Sequence, residues 1–506
     1  MEIHNLLLGF SVALHPTNLL FAFFGVLLGT IIGALPGIGP SAGVAVLLPA
    51  TFGMPPVTAI IMLAGIYYGA MYGGTITSVL INTPGESASV MTTLDGFQMA
   101  LKGRAGAALG MAAIGSFIAG TLSVVLLMLA APPLADLAVT FGPPEYFALM
   151  VLGLTTLASL SGGSMLKGMA MALAGLMLGT VGIDLMIGEP RFTFDNVNLL
   201  DGIDFLPVAV GLFAIGELLY NLYEPIRVEP IKAKLSGLLP TRQDWRDSYG
   251  AIGRGTIIGF FVGILPGAGA TIASFLAYAT ERRVSRHPEK FGTGAVEGVA
   301  APESANNAAS TGALVPLMAL GIPGSGTTAV MLGALTLYGL QPGPLMLSTH
   351  PEVFWGLVAS MYIGNVMLLI LNLPLAPVFA SVLRVPYAIL IPIIMGIALF
   401  GVYSVENSVF NVGVAIVFGA LGFAMRIYGY PPAPLVLALV LGPMLEKALR
   451  QSLQMSLGNP QIFVTRPVSA AILAFALIAV VYPLFADMRA RRRRRLELTP
   501  TAPPAS

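Results

Sequence analysis

The sequence predicts an all-α, polytopic integral membrane protein with two inverted-topology repeats, broken or re-entrant helices near the membrane midplane, and one extra C-terminal transmembrane helix. Three observations lead to this fold class. Of 506 residues, 56% are hydrophobic and only 10% are charged, whereas a soluble domain carries about 25% charged residues. Long apolar runs recur along the chain, and one helix-breaking phrase occurs once in each half.

The apolar runs account for the transmembrane helices. Each is near or approaches the roughly 20 residues that cross a bilayer as a helix, and clear examples are Asn18–Ala34, Ala105–Ala131, Tyr146–Leu160 and Ala388–Phe400. The runs are apolar on every face, whereas the strands of a membrane β-barrel alternate apolar and polar residues. The sequence therefore favours a helical membrane protein.

Repeated phrases indicate an internal duplication. GALPGIG from Gly33 to Gly39 matches GILPGAG from Gly263 to Gly269, and the phrase GTIIG precedes both. Further matches follow in the same order: Pro84-Gly85 with Pro323-Gly324, Pro133 to Ala135 with Pro374 to Ala376, and Gly216 with Gly442. An ordered series favours a genuine duplication, and internal symmetry is common in transporter folds.

Basic residues predict that the two copies face opposite ways, because lysine and arginine in short loops stay on the cytoplasmic side. The run Arg491–Arg495 and the polar segment that contains Lys232 and Lys234 are therefore expected inside, whereas no lysine or arginine precedes Lys102. With the N-terminus outside, the first copy runs inward and the second outward, and a last helix, Val468–Phe485, returns the chain. The alternative is that the arginine run merely flanks a last helix and carries no information on symmetry.

These orientations divide the chain into five predicted segments. The linker separates the two copies, and the last helix is needed to bring the basic tail back inside. The segments are a first transmembrane repeat (1–222), a cytoplasmic linker (223–254), a second transmembrane repeat (255–460), a C-terminal transmembrane helix (461–488) and a basic cytoplasmic tail (489–506).

The repeated LPG phrases are candidate parts of a binding site. Proline removes a backbone donor and glycine relaxes the dihedral limits, so the phrases should interrupt helices and expose N–H groups at the next helix start. Inside a membrane such backbone faces protein or a water-filled cavity, and helix N-termini attract carboxylates. The candidate residues are Pro36, Gly37, Gly39, Ser41, Pro266, Gly267, Gly269 and Thr271. Close packing is the alternative, and we favour it for GTIIG and for GALGFAM, which begins at Gly419.

A second pair of stretches, Thr77–Gly96 and Glu297–Thr328, is rich in small polar residues. Neutral oxygens of this kind can coordinate a sodium ion or hydrogen-bond a carboxylate, and they cost less inside a bilayer than charges do. The candidate residues for substrate or ion binding are Asn82, Thr83, Pro84, Gly85, Glu86, Ser87, Asn306, Asn307, Pro323, Gly324 and Ser325.

Four acidic residues lie in these two stretches. Acids within a membrane are functional candidates by default, which applies to Glu86 and Glu303, although a loop position is an equal alternative for Glu86. Asp95 and Glu297 are expected in cytoplasmic loops, as solvated partners of nearby basic residues such as Lys102.

Longer phrases resemble a known family. GALPGIGPSAGVAVLLPATFGM, YYGAMYGGTITSVLINTPGESASVMTTLDG, EGVAAPESANNAASTGALVPLMALGIPGSG and LYGLQPGPLM closely resemble the large membrane subunit of tripartite tricarboxylate transporters, the TctA-like family. The resemblance covers nearly the whole chain through the second repeat. It implies an ion-gradient-driven uptake system of the bacterial inner membrane, with a periplasmic solute-binding protein (TctC-like) that delivers a carboxylate and a small membrane subunit (TctB-like).

Other function classes find less support. The chain has no G-x-x-x-x-G-K-[ST] loop for ATP, no cysteine, and four histidines without metal-ligand spacing. We therefore expect a transporter rather than an enzyme, with no cofactor, no metal site other than one for sodium, and no nucleic-acid partner. An intramembrane enzyme and a solute channel remain as alternatives, and the coupling ion is either sodium or a proton.

Overall fold

The computed structural model describes residues 2–160, 164–184, 186–224, 237–267, 269–376, 378–379 and 387–481. The predictions for the run Arg491–Arg495, for Lys232 and Lys234 of the linker, and for residues 482–488 of the last helix lie outside the described residues. That helix is described from Pro467 to Val481.

The described chain is mainly helical, as predicted. Two strands of two residues each, Gly182–Ile183 and Pro190–Arg191, pair antiparallel and depart from an all-α fold. The helices are α1 (Glu2–Ala13), α2 (Pro16–Gly33), α3 (Pro40–Leu47), α4 (Pro56–Ile81), α5 (Val90–Leu101), α6 (Ala105–Val139), α7 (Pro143–Leu160), α8 (Met165–Leu178), α9 (Phe205–Ala209), α10 (Gly216–Tyr223), α11 (Arg242–Ile264), α12 (Gly269–Val284), α13 (Glu297–Gly312), α14 (Leu314–Leu320), α15 (Gly326–Leu337), α16 (Met346–Thr349), α17 (Pro351–Asn372), α18 (Tyr387–Glu406), α19 (Val409–Tyr428), α20 (Pro432–Met455), α21 (Ile462–Thr465) and α22 (Pro467–Val481).

Eight helical spans of the described chain are long and apolar enough to cross a membrane. They are α2, α4, α6, α17, α18, α19, α20 and the stretch Phe205–Tyr223, in which a π-helical turn joins α9 to α10. The protein is therefore a multi-pass membrane protein. Helix α11 begins at Arg242, so part of the segment predicted as a linker is already helical.

Glycines allow the helix before each LPG phrase to pack closely on a neighbour. A Cβ atom added to one of these glycines would lie 2.1–2.5 Å from a carbonyl oxygen of the facing helix, α4 or α13, and only glycine permits that approach. The glycines are Gly25, Gly29 and Gly33 in α2 and Gly255, Gly259 and Gly263 in α11. The packing role predicted for the GTIIG phrases is confirmed. Relative to LPG, the three glycines of α2 occupy the same positions as the three glycines of α11. The two GTIIG phrases do not, because their positions relative to LPG differ by one helical turn.

Helices α4 and α13 occupy the interior. Helix α4 packs against α2 and α17, α13 packs against α6, α11 and α12, and the two contact each other. Every residue of α13 from Gly298 to Gly312 is buried, including Glu303, Asn306 and Asn307. Buried polar groups need hydrogen-bond partners, so the contacts of these side chains decide how the interior is held together.

Candidate functional site

Each LPG phrase lies between two helices, α2 and α3 in the first half and α11 and α12 in the second. The glycine that follows the proline has φ of +83° in both phrases, at Gly37 and Gly267. This left-handed conformation suits glycine because it has no Cβ. Pro36 and Pro266 precede these turns, and the interruption of helices expected from the two residue types is observed.

A second pair of turns, Pro84-Gly85 and Pro323-Gly324, is referred to below as the Pro-Gly turns, and these two also share their backbone geometry. Helix α4 is followed by Asn82 and α14 by Gly321, both with left-handed φ, +54° and +73°. The turns Pro84-Gly85 and Pro323-Gly324 then lead to extended N-cap residues, Glu86 and Ser325. Each N-cap side chain accepts a hydrogen bond from the backbone of the helical turn that follows. The turns aligned by sequence therefore match in conformation.

Each Pro-Gly turn packs on the helix that ends at the LPG phrase of its own half. A Cβ added to Gly85 would lie 2.1 Å from the carbonyl oxygen of Gly33, and one added to Gly324 would lie 3.0 Å from that of Gly263. In the second half, the N–H of Gly267 also donates to the carbonyl of Gly324 (3.0 Å). The two breaks of each half thus form one packed unit.

Two hydroxyl pairs join the units of the two halves. Ser41 Oγ lies 2.9 Å from Thr327 Oγ1, and Ser87 Oγ lies 2.8 Å from Thr271 Oγ1. Ser41, Thr327 and Thr271 lie in the first turns of α3, α15 and α12, and Ser87 begins the 3₁₀ turn that leads into α5. Four helix starts therefore meet in two pairs, each with one member from either half. Helix starts present N–H groups and a positive partial charge.

The glycines of the LPG phrases differ in their surroundings. A Cβ at Gly39 or Gly269 would meet no atom of the described residues within 4 Å. One at Gly37 would lie 2.7 Å from the Asn221 side chain, and one at Gly267 would lie 2.5 Å from the backbone of α7. On the side where a Cβ would lie, Gly37 and Gly267 therefore pack against protein, whereas Gly39 and Gly269 have room there.

The small polar residues predicted to bind substrate or ion differ in their exposure and in their hydrogen-bond partners. Asn82 is exposed at the end of α4, and the Thr83 hydroxyl donates to the Ile81 carbonyl. Asn307 Nδ2 donates to Ser116 Oγ (2.8 Å) and so connects α13 with α6. Asn307 is thus occupied by a packing contact. Ser116 lies almost two hundred residues away from Asn307 in the chain, so no local sequence pattern indicates this hydrogen bond.

Asp95 is a buried anchor, which corrects the prediction of a solvated loop acid. It lies in α5 and has no exposed surface. Its carboxylate accepts hydrogen bonds of 2.7–2.9 Å from one hydroxyl and three backbone N–H groups, those of Tyr278, Gly292, Gly294 and Ala295. The backbone donors stabilise the carboxylate, and Asp95 forms no ion pair with any basic residue that the structure describes. Glu297, the other acid predicted in a loop, begins α13 and is half-buried.

Glu86 and Glu303 are buried acids from different halves. Glu303 accepts hydrogen bonds from the hydroxyls of Thr75 (2.7 Å) and Thr92 (2.5 Å), and Glu86 accepts one from Asn306 Nδ2 (3.2 Å). The sequence makes Glu303 a functional candidate as an acid within the membrane, although it does not belong to the predicted substrate- or ion-binding set. The two carboxylates connect α13 with α4, α5 and the first Pro-Gly turn.

Comparisons with known proteins identify the family. The chain is 50% identical over 490 residues to an uncharacterized 52.8 kDa protein in the TAR-I ttuC' 3' region of Agrobacterium vitis, covering 97% of this chain and 98% of that protein. It is 45% identical over 234 residues to an uncharacterized protein in the TAR-II ttuC' 3' region of the same organism, covering 46% of this chain and 97% of that protein. No solved structure matches. Residues 19–437 match the tripartite tricarboxylate transporter TctA family, and the chain belongs to that family.

Proposed function

We propose that the protein is the large permease subunit of a secondary transporter of the bacterial inner membrane, which imports a tricarboxylate or another small organic carboxylate together with sodium or protons. The observation that carries this proposal is the meeting of four helix starts in the pairs Ser41–Thr327 and Ser87–Thr271. Helix starts bind carboxylates through backbone N–H groups without a buried basic side chain. The hydroxyls add donors and acceptors that orient the ligand.

We also propose that the two halves are inverted-topology repeats. The matched φ values at Gly37 and Gly267, and the matched packing of Gly85 and Gly324, support a structural correspondence between the halves. Inverted repeats of this kind place the substrate at the interface between the copies. Relative movement of the two copies would then open the site to one side of the membrane at a time.

The proposed transporter works with two partners, a small membrane subunit and a periplasmic solute-binding protein. This part of the proposal rests on membership of a family described as tripartite. The binding protein would deliver the carboxylate to the outer side of this subunit. The chain itself would supply the path through the membrane.

Reconstitution tests the proposal. The solute is first identified by mass spectrometry as the ligand that purifies with the proposed solute-binding partner. Its radiolabelled form is then followed into proteoliposomes that contain this subunit alone or together with both partners, under a sodium gradient, a pH gradient or neither. We expect saturable uptake only with both partners and one gradient. Full uptake by the subunit alone, or equal flux without any gradient, would contradict the proposal.

A further inference from the structure

We propose that Glu303 and Glu86 form the binding site of the coupling cation, separate from the hydroxyl pairs that are proposed to hold the carboxylate. The inference rests on the proposed transport function and adds to it the location of the cation. Its evidence is the environment of the two carboxylates, one contributed by each half of the chain.

Glu303 lies in the middle of α13 and has no exposed surface. One carboxylate oxygen accepts a hydrogen bond from the Thr75 hydroxyl of α4, and the other accepts one from the Thr92 hydroxyl of α5. Hydroxyl groups can both donate and accept. The two threonine hydroxyls can therefore donate to the ionised carboxylate when no cation is bound. When a cation binds, the hydroxyl hydrogens can turn away, and the threonine oxygens can then accept a hydrogen bond or coordinate the cation.

Glu86 and Asn306 extend the same cluster. Glu86 is 7% exposed and accepts hydrogen bonds from the Ala88 N–H and from Asn306 Nδ2. Asn306 lies one helical turn after Glu303 and has no exposed surface, and its Oδ1 atom has no hydrogen-bond partner among the described residues. The buried hydroxyl of Tyr72 interacts electrostatically with Glu303, and it too lacks a hydrogen-bond partner in the part of the chain that the structure describes. Unsatisfied buried polar atoms are rare, and here they adjoin two carboxylates.

The carboxylates lack a basic partner within the described residues. No lysine, arginine or histidine there forms an ion pair with Glu86 or Glu303. The buried acid Glu145, by contrast, pairs with Arg466 at 3.2 Å. A buried carboxylate without a counter-charge is costly, so a cation that binds between the acids would be strongly favoured. Either a proton or a sodium ion would supply the missing positive charge.

The position of the cluster explains how cation and carboxylate binding would be coupled. Glu86 directly precedes Ser87, which forms one of the hydroxyl pairs. Negative charge on Glu86 would repel a carboxylate bound at that pair, and a cation beside Glu86 removes the repulsion. Binding of the cation then raises the affinity for the carboxylate, and by linkage the carboxylate raises the affinity for the cation to the same degree.

Infrared difference spectroscopy of the purified protein in lipid nanodiscs tests the site without any substrate. One arm lowers the pH in choline chloride, and the other replaces choline chloride by NaCl at constant pH and ionic strength. A proton produces the C=O band of a protonated carboxylic acid, whereas sodium shifts the carboxylate bands without producing one. We expect one of the two signals in the wild type, its loss in Glu303→Gln, and its retention in the ion-paired control Glu145→Gln.

A second variant covers the case in which Glu303→Gln does not accumulate as folded protein. Thr92→Val keeps the carboxylate and removes one hydroxyl partner, and it should move the midpoint of the cation titration by roughly tenfold or more, as expected for a hydrogen bond to a charged group. The inference is overturned if neither arm gives a signal that depends on Glu303 or Thr92. Because the spectra require no transport, such a result would leave the proposed function standing, whereas a normal cation signal without uptake would refute the transport proposal alone.

Discussion

The hydroxyl oxygen of Ser87 lies 2.8 Å from that of Thr271, although the two residues are 184 positions apart in the chain. Its counterpart, the contact of Ser41 with Thr327, spans 286 positions. Both contacts join a helix start of the first half to one of the second. The contact region between the halves is therefore built from helix starts of both halves.

The open position at Gly39 provides a test of the proposed carboxylate site. Its φ is −73°, and within 4 Å an added Cβ would meet no atom of the chain as far as the structure describes it. We expect Gly39→Ala to cost at most about 1 kcal/mol of helix capping but to reduce uptake per folded molecule several-fold, because the methyl group obstructs access to the N–H groups of α3. Gly253→Ala, which also faces open space, is the control. Equal uptake per folded molecule by Gly39→Ala and Gly253→Ala would show that the carboxylate site does not lie at the start of α3.

A coupling measurement tests the contact between Ser87 and Thr271. If their hydroxyls act together on the substrate, the effects of Ser87→Ala and Thr271→Val on apparent affinity should not add, with a coupling energy of about 0.5–1.5 kcal/mol. The double-mutant cycle is measured from concentration-dependent uptake in proteoliposomes. Additive effects would mean that the two hydroxyls act independently. Ser348→Ala, on an exposed helix end with a local hydrogen bond, should leave the affinity unchanged.

Gly259 tests the close approach of α11 to α13. An added Cβ would lie 2.3 Å from the carbonyl oxygen of Ala305, so Gly259→Val forces the helices apart. We expect a marked loss of folded protein, measured by fluorescence-detected size-exclusion chromatography. Gly253→Val on the same helix faces open space and should accumulate normally. Normal levels of the Gly259 variant would show that the two helices tolerate separation.

Gly267 should behave like Gly259 rather than as a ligand contact. Its φ is +83°, and a Cβ there would meet the backbone of α7 at 2.5 Å. Gly267→Val is therefore expected to lower the yield of folded protein as well as uptake. The same chromatographic measurement distinguishes this outcome from a purely functional defect, in which folded protein would persist without transport.

Asp95 is expected to matter for stability more than for transport. Asp95→Asn retains one oxygen for the backbone N–H groups but removes the charge that strengthens all of its hydrogen bonds. We expect a loss of about 1–3 kcal/mol of folding free energy, seen as a lower unfolding temperature, with near-normal uptake per folded molecule. Glu297→Gln, at a half-buried position, should change the unfolding temperature less. A transport defect without destabilisation would assign Asp95 a functional role.

The features that the sequence determined by itself are those with local causes. Composition and the apolar runs predict a multi-pass membrane protein because a bilayer requires long apolar helices. The breaks at Pro36 and Pro266 are predictable since proline and glycine act on their own backbone. The packing role of GTIIG follows from small residues spaced along one helix face.

Only the tertiary structure decided the surroundings of each polar group. Asp95 looks like a loop acid beside Lys102, yet its carboxylate is held by backbone near Gly294. Gly37 looks open to a ligand but packs against Asn221. The cluster of Glu303 with Thr75 joins residues 228 positions apart. Side chains that are distant in the chain meet only when the helices pack, and whether a buried carboxylate is an anchor or a binding group depends on the donors that packing brings to it.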